Sequence, residues 1–385
     1  MRSIDALDPE SGVRLAGVLD AEPTGAGFRL RRLPEWTRRQ LLDPALAFVC
    51  SMPSGARLEM TTDSTVIEVD ALLTMLQVGD QALRPAAFDL VVDGEVMGSA
   101  RFLEGRILRM DPVTQAVSVD RGPAVTIRFD GLPAGAKHVE LWLAQGASFE
   151  LRGMRVDDAA LVGPPPPATG PRWVHYGSSI SHCVEAGRPT GTWPAVAARR
   201  AGADLTSLGL AGQCQLDQWV ARTIRDLEVD LISLKLGINV INGDTMRERT
   251  FLSAVQGFLD TVRDGHPEVP LLVITPIVCP VAEDHPGPTL QGPDGKVFVR
   301  PRPPELSLGA LSLGRIRQLL TDVVHRRQQD GDAELHLLDG LSLFGPGDTA
   351  DLPDGLHPNA AGYQRMGERF HALAFGAGGP FHRAA

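Results

Sequence analysis

Residues 162–171 read VGPPPPATGP, and this run limits how the rest of the chain can be organised. Consecutive prolines fix φ, remove amide donors and favour the extended polyproline conformation. No helix continues through such a run, so it is expected to act as a semi-rigid spacer. The 385 residues are too many for one average domain, and the spacer divides them into residues 1–161 and 172–385. With 43% hydrophobic residues, each part has enough apolar side chains to bury a core.

Before the spacer the patterning is that of strands. STVIEVDALL, AFDLVVDGEVMG, AVTIRFDGL, HVELWLA and FELRGMRV are short and rich in β-branched and apolar residues. Asp93-Gly94 between two apolar runs is a hairpin signal. Strands in series without intervening helices predict an all-β sandwich or jelly roll. About the first 45 residues carry no clear pattern.

After the spacer, strand and helix alternate. RWVHY, DLTSLGL, LISLKLG, LLVITPI and ELHLLD read as strands. TWPAVAARRAG, QLDQWVARTIRDL and RIRQLLTDVVHRRQQ read as helices, with Trp219, Val220, Ile224 and Leu227 on one helical face. This alternation predicts an α/β domain with a parallel sheet covered on both faces. Active crevices of such sheets lie beyond the carboxyl ends of the strands.

Four segments fall at such ends or in the loops after them: Gly177-Ser178-Ser179, LGLAGQC with Gly212, LGIN with Asn239, and DGLHPNAAGY with Asp354 and His357. A serine hydroxyl is a weak nucleophile that needs an adjacent base, and His357 can supply one. Asp354, three residues earlier, can hold the imidazole in one tautomer. Pro358 is expected at the first position of the next helix. The backbone N–H groups of the nucleophile and Gly212, with the Asn239 amide, are candidate oxyanion donors.

These four blocks, in this order, resemble the SGNH or GDSL-type hydrolase superfamily across about residues 172–375. The resemblance implies a flavodoxin-like three-layer fold for this part, with Ser179, Gly212, Asn239 and His357 as its named residues and Asp354 completing the triad. It selects Ser179 over Ser178, because the third residue of the family's Gly-Asp-Ser block is the nucleophile. Ser178 stands where that Asp is usual, and Val240 follows Asn239 where Asp is common. The G-x-S-x-G elbow of the α/β-hydrolases is not met, since residue 181 is Ser. The GSS block, the sandwich in front and the lack of an export signal also resemble GDSL-type acyltransferases that tailor aromatic polyketides of the tetracycline kind.

The reaction implied is acyl transfer through an acyl-Ser179 intermediate. Its partners are a small-molecule acyl donor, an ester or an acyl-CoA, and either water or an acceptor hydroxyl. Carbohydrate O-acetyl ester hydrolysis is the rival substrate class, and a ligand-binding protein with a vestigial catalytic domain is the rival from a different class. Ser181 is read as a helix-start or packing residue, His182 and Cys183 as first-turn residues, and His175 as packed. Lys235 is expected to have a charged partner. Residues 280–305, rich in Pro and Gly, are expected to form a long loop over the site mouth.

The net charge of −10, without a basic run, argues against nucleic acid as a partner. MRSIDALDPESG lacks the apolar region of a signal peptide, and no apolar run reaches the length of a membrane span. Cys50, Cys183, Cys214 and Cys279 show neither zinc nor disulfide spacing. The expectation is a cytoplasmic enzyme without metal or cofactor.

Overall fold

In the computed structural model, which describes residues 1–41, 43–111, 114 and 116–382, the chain divides into two units. One comprises Met1–Thr169 with Gly187–Thr190, and the other comprises Gly170–Ala186 with Gly191–Ala385.

The first unit is a β-sandwich built from an eight-stranded and a six-stranded sheet. The long strand Ile67–Val78 pairs antiparallel with Ala147–Val156 and with Val125–Phe129. Along Val125–Phe129, residues 125, 127 and 129 are buried and the two between them are exposed, the period of a half-buried strand. Leu58, Met60 and Leu90 from one sheet meet Val69, Ala71 and Leu73 from the other in one core. The rings of Phe88 and Phe149 lie 5.9 Å apart across it. Asp93 and Gly94, with φ of 47° and 85°, link Ala86–Val92 to Glu95–Phe102, and positive φ at both residues suits the twist of the flanking strands. The early region that lacks a pattern contributes strands of only three or four residues, among them Arg2–Ile4, Arg14–Ala16 and Phe28–Arg31. Such strands are too short to display periodicity. Val162 and Gly163, at the start of the proline run, pair with Arg57–Thr62.

A fully buried carboxylate sits in this unit. Asp89 accepts hydrogen bonds from Ser99 Oγ at 2.5 Å, Thr190 Oγ1 at 2.6 Å, Thr190 N at 3.1 Å and Arg188 Nε at 3.0 Å. Burial alone would raise its pKa, but the donors outweigh burial and the pKa is lowered.

The second unit holds a five-stranded parallel sheet in the order Asp204–Gly209, Arg172–Gly177, Leu231–Lys235, Leu271–Ile274, Leu335–Leu338. In chain order this is 2-1-3-4-5, the flavodoxin-like arrangement. Helices cover both faces. Tyr176 stacks on Phe258 of helix Glu248–Gly265, while Trp173 stacks on Phe370 of helix Ala360–Phe370 and packs near Trp193 of helix Trp193–Ala201. Residues 173 and 176 point to opposite sides because strand side chains alternate. Helix Trp193–Ala201 starts where Thr192 Oγ1 accepts the Ala195 N–H and ends at Gly202 with φ 64°. Helix Leu313–Gln329 starts with Ser312 capping Arg315 N.

Two local expectations are corrected. Pro358 is not the first residue of its helix: Asn359 is the cap, its Oδ1 accepting the Gly362 N–H, and Pro358 precedes it. An Asn side chain can close the first turn, which proline cannot do, and this shifts the start by one residue. Residues 280–305 are not structureless either. They contain the hairpin Thr289–Gln291 with Val297–Val299, flanked by the 3₁₀ turns Pro280–Ala282 and Pro304–Leu306. No helix of the described residues is long and apolar enough to cross a membrane.

Replacing Asp89 by Ala should destabilise the first unit by about 3 kcal/mol, because it strands the Arg188, Thr190 and Ser99 donors. Urea denaturation of the full chain, followed by the fluorescence of Trp142, checks this as a lowered midpoint for the first unit.

Candidate active site

Gly177 ends the central strand of the parallel sheet, and the chain turns at once into the short helix Ser179–His182. A Cβ at Gly177 would lie 2.2 Å from Ser181 Oγ, so only glycine lets the turn fold this tightly over the strand. Ser178 is the buried cap of the turn, its Oγ accepting the Ile180 N–H at 3.3 Å. Ser179 is the first helical residue, and its Oγ lies 2.9 Å from His357 Nε2. The two adjacent hydroxyls are thereby committed to different partners.

Ser181 and His175 hold the turn from below. His175 Nε2 lies 2.7 Å from Ser181 Oγ, and His175 Nδ1 lies 2.7 Å from Ser233 Oγ, which also accepts the Trp173 Nε1–H at 2.9 Å. Burial first, and the positive charge of Lys235 second, push His175 down to about 3, so this imidazole is neutral near pH 7.

The loop after strand Leu335–Leu338 carries the acid–base pair. Asp354 Oδ1 accepts the N–H groups of Leu356 at 2.9 Å and His357 at 2.7 Å, and Oδ2 lies 2.7 Å from His357 Nδ1. An ionised carboxylate only accepts, so Nδ1 carries the imidazole proton and Nε2 accepts from the Ser179 hydroxyl. Burial would raise the Asp354 pKa, but the His357 side chain and the two backbone donors hold it at about 2. Both side chains are partly exposed, at 20% for His357 and 26% for Asp354, so the pair borders solvent.

The third component is the loop after strand Asp204–Gly209. Gly212 there has φ +71°, which favours glycine. Asn239 Oδ1 accepts the Cys214 N–H at 2.9 Å, which fixes the orientation of the amide and turns Nδ2 away from that bond. Tyr176 Oη accepts the Leu216 N–H at 3.2 Å, and Gln215 Nε2 donates to the Asn239 carbonyl at 3.1 Å. The N–H groups of Ser179 and Gly212 and the Asn239 Nδ2 make no hydrogen bond among the described residues. They are donors held in place and left uncommitted.

Ser179, His357 and Asp354 thus form one hydrogen-bonded chain, and the Gly212 loop is fastened to Asn239 through Cys214. A nucleophile with a base, a carboxylate behind the base and uncommitted donors are the parts that acyl transfer requires.

Sequence reasoning missed the braces. Cys214, Tyr176 and Ser233 carry no motif and act only through contacts made after folding. The hairpin was missed as well: Val297 N donates to the Asp354 carbonyl at 2.8 Å, and Cys279 Sγ lies 3.4 Å from the Gly355 carbonyl. Arg302 anchors the same segment to Asp244 at 2.6 Å. The expected charged partner of Lys235 is corrected: the amine makes no ion pair or hydrogen bond among the described residues. It ends a strand inside the sheet, where the ionisable groups that act on it are thiols, an imidazole and a guanidinium rather than carboxylates. Burial raises the thiol pKa values, Cys183 well above its ordinary value, Cys214 to about 12 and Cys279 to about 11. No group of three or more His, Cys, Asp or Glu side chains among the described residues is arranged to hold a metal ion.

Residues 175–365 match the GDSL-like Lipase/Acylhydrolase family. No curated protein sequence matches the chain. Among solved structures, the chain is similar to the salicylyl-acyltransferase SsfX3 from a tetracycline biosynthetic pathway. That match has 27% identity and a TM-score of 0.80, covering 96% of this chain and 95% of the other. A GDSL-like lipase from Bacteroides ovatus has 18% identity, with a TM-score of 0.66 and coverage of 96% and 95%. An active-site mutant of a family two carbohydrate esterase from Clostridium thermocellum has 16% identity and a TM-score of 0.61, with coverage of 95% and 98%. The last two likenesses bear on fold alone. Residues 175–365, most of which lie in the second unit, are thus a domain of the GDSL-like lipase/acylhydrolase (SGNH) kind, a family of ester hydrolysis and acyl transfer.

Proposed function

We propose that the protein is an O-acyltransferase that moves an acyl group from a coenzyme A thioester to a natural-product hydroxyl through an acyl-Ser179 intermediate. The observation that carries this reading is the hydrogen-bonded chain Ser179–His357–Asp354. Ser179 Oγ attacks the acyl carbonyl while His357 Nε2 takes its proton. The tetrahedral oxyanion is held by the N–H groups of Ser179 and Gly212 and by Asn239 Nδ2. Collapse breaks the bond to the leaving thiolate, which takes the proton back from His357. An acceptor hydroxyl then gives its proton to His357 and attacks the acyl-enzyme, releasing the ester and restoring Ser179.

Water can replace the acceptor, and the balance depends on how well the acceptor is held near the acyl carbon. Likeness to a salicylyl-acyltransferase over nearly the whole chain favours transfer. Coenzyme A as donor goes with the expected cytoplasmic location, and residues 1–161 are then an accessory domain. Carbohydrate O-acetyl ester hydrolysis is the second reading, favoured by the likeness in fold to family two carbohydrate esterases. An intact nucleophile–base–carboxylate chain speaks against a vestigial site.

Incubation with acyl-CoA and a panel of phenolic and sugar acceptors should yield acceptor ester and a mass increase on the peptide bearing Ser179. Release of free acid alone, with no ester from any acceptor, points to hydrolysis. Ser179→Ala should lower kcat by about 10⁴–10⁶, whereas Ser178→Ala, which loses only a helix cap, should stay within about tenfold. The reverse order would overturn the choice of nucleophile. Asn239→Ala should reduce kcat by about 10²–10³, and an unchanged rate would remove it from the oxyanion site.

The lowered pKa of Asp354 fixes a pH window. At about 2 it keeps the carboxylate ionised throughout pH 4–9. Over that range the charge on Asp354 does not change. The stability that the Asp354 bond contributes is fully present above the unfolded pKa of about 3.9 and is lost as pH falls toward 2. Asp354→Asn should lower kcat by about 10⁴, with the wild-type advantage in thermal stability shrinking below pH 4.

A further inference from the structure

Lys235 is a buried amine that neither the fold nor the reaction described above uses. It closes strand Leu231–Lys235 and is 2% exposed. Parallel register pairs Leu234 with Tyr176, which sets Lys235 beside Gly177, two residues before Ser179. These two strands flank the point where the strand order reverses, the place where open α/β sheets bind ligands.

Strand alternation puts the Lys235 side chain on the same sheet face as Ser233, the face of His175 and the Ser179–His182 turn. Four ionisable groups act on it: Cys214 from the Gly212 loop, Cys183 from the end of the Ser179 turn, Arg317 from helix Leu313–Gln329, and His175 from the neighbouring strand. None is an acid. Burial keeps both thiols and the imidazole neutral, and Arg317 is already paired with Glu283. A cation taken out of water without a counter-ion lowers stability. A methionine would fill similar volume without that cost, so packing does not account for the amine.

The elements that border Lys235 carry the uncommitted donors. Cys183 closes the turn that begins at Ser179, and Cys214 belongs to the Gly212 loop, binds Asn239 through its N–H and has its Sγ 3.7 Å from the Lys235 carbonyl. We propose that Lys235 is a positioning residue for acyl transfer, its ammonium keeping the Ser179, Gly212 and Asn239 donors in a positive field that favours charge on the substrate's carbonyl oxygen. The inference rests on the acyl-Ser179 reading. In a site of low dielectric a fixed charge of this kind acts on the transition state more than on the neutral ground state.

Burial, opposed by the two thiols and assisted by Arg317, lowers the Lys235 pKa from 10.5 to about 8. The field therefore fades in mildly alkaline solution. The unfolded chain binds the extra proton between about pH 8 and 10.5, so this group makes stability rise with pH across that window.

The test is Lys235→Met in the full chain, assayed with p-nitrophenyl acetate from pH 6 to 9.5. The expected result has four parts: kcat at pH 7 lower by about tenfold, KM within about twofold, loss of the fall in rate above pH 8 that wild type should show, and a melting temperature at pH 7 raised by a few degrees. A kcat within about twofold of wild type, with the alkaline fall retained, overturns the proposal. Should the variant fail to fold, wild type alone decides: a flat kcat between pH 7 and 9.5 also overturns it. Ser179→Ala assayed alongside separates the two readings. Turnover retained by Ser179→Ala removes the acyl-serine mechanism, whereas an inactive Ser179→Ala beside an unaffected Lys235→Met removes only the role of Lys235.

Discussion

Parallel pairing of the central strand Arg172–Gly177 with both its neighbours is the constraint on which the site depends. Parallel strands bring their carboxyl ends to one edge, so Gly177, Gly209 and Lys235 lie side by side although far apart in sequence. The segments leaving those three strands are gathered at that edge: the Ser179 turn, the Gly212 loop and the Asn239 helix. The Asp354–His357 loop reaches the same edge after the last strand. No segment of the chain builds the site by itself; the sheet does so by alignment.

The second layer of order is a set of buried polar contacts behind the reacting groups. His175 ties the Ser179 turn to strand Leu231–Lys235 through Ser181 and Ser233. Cys214 fixes the Asn239 amide, and Tyr176 fixes the Gly212 loop. Each is a satisfied hydrogen bond in a dry interior, where a missing partner is costly. They keep the donors of Ser179, Gly212 and Asn239 in place while leaving them unused. Lys235 is the exception among these groups, a buried amine that pairs with no carboxylate among the described residues.

Much of this was legible in sequence, for identifiable reasons. The strands of the second unit are apolar runs bounded by Gly and Asp, and its helices carry caps such as Thr192 and Ser312. The set Ser179, His357 and Asp354 could be nominated because four weak blocks in one order resemble a known family, and the three side chains do meet in one hydrogen-bonded chain. The Asn359 cap and the hairpin inside residues 280–305 were not legible. A one-residue shift at a helix start depends on cap geometry. A three-residue strand beside a Pro/Gly-rich turn has no periodicity to read, and it is held by Val297 on the Asp354 carbonyl, a contact 57 residues distant in sequence.

The amino-acid sequence alone determined the two-part organisation and the alternation of strand and helix after the prolines. Local patterning gives these, whereas Ser179, His357 and Asp354 were nominated as a set by the resemblance of their four blocks to a known family. Only the tertiary structure decided how Ser178 and Ser179 divide between helix cap and imidazole, how the amide of Asn239 is turned, and that Lys235 meets no carboxylate among the described residues. Those facts depend on which side chains meet across the sheet, and hydrogen bonds between residues distant in sequence leave no period or spacing in the chain.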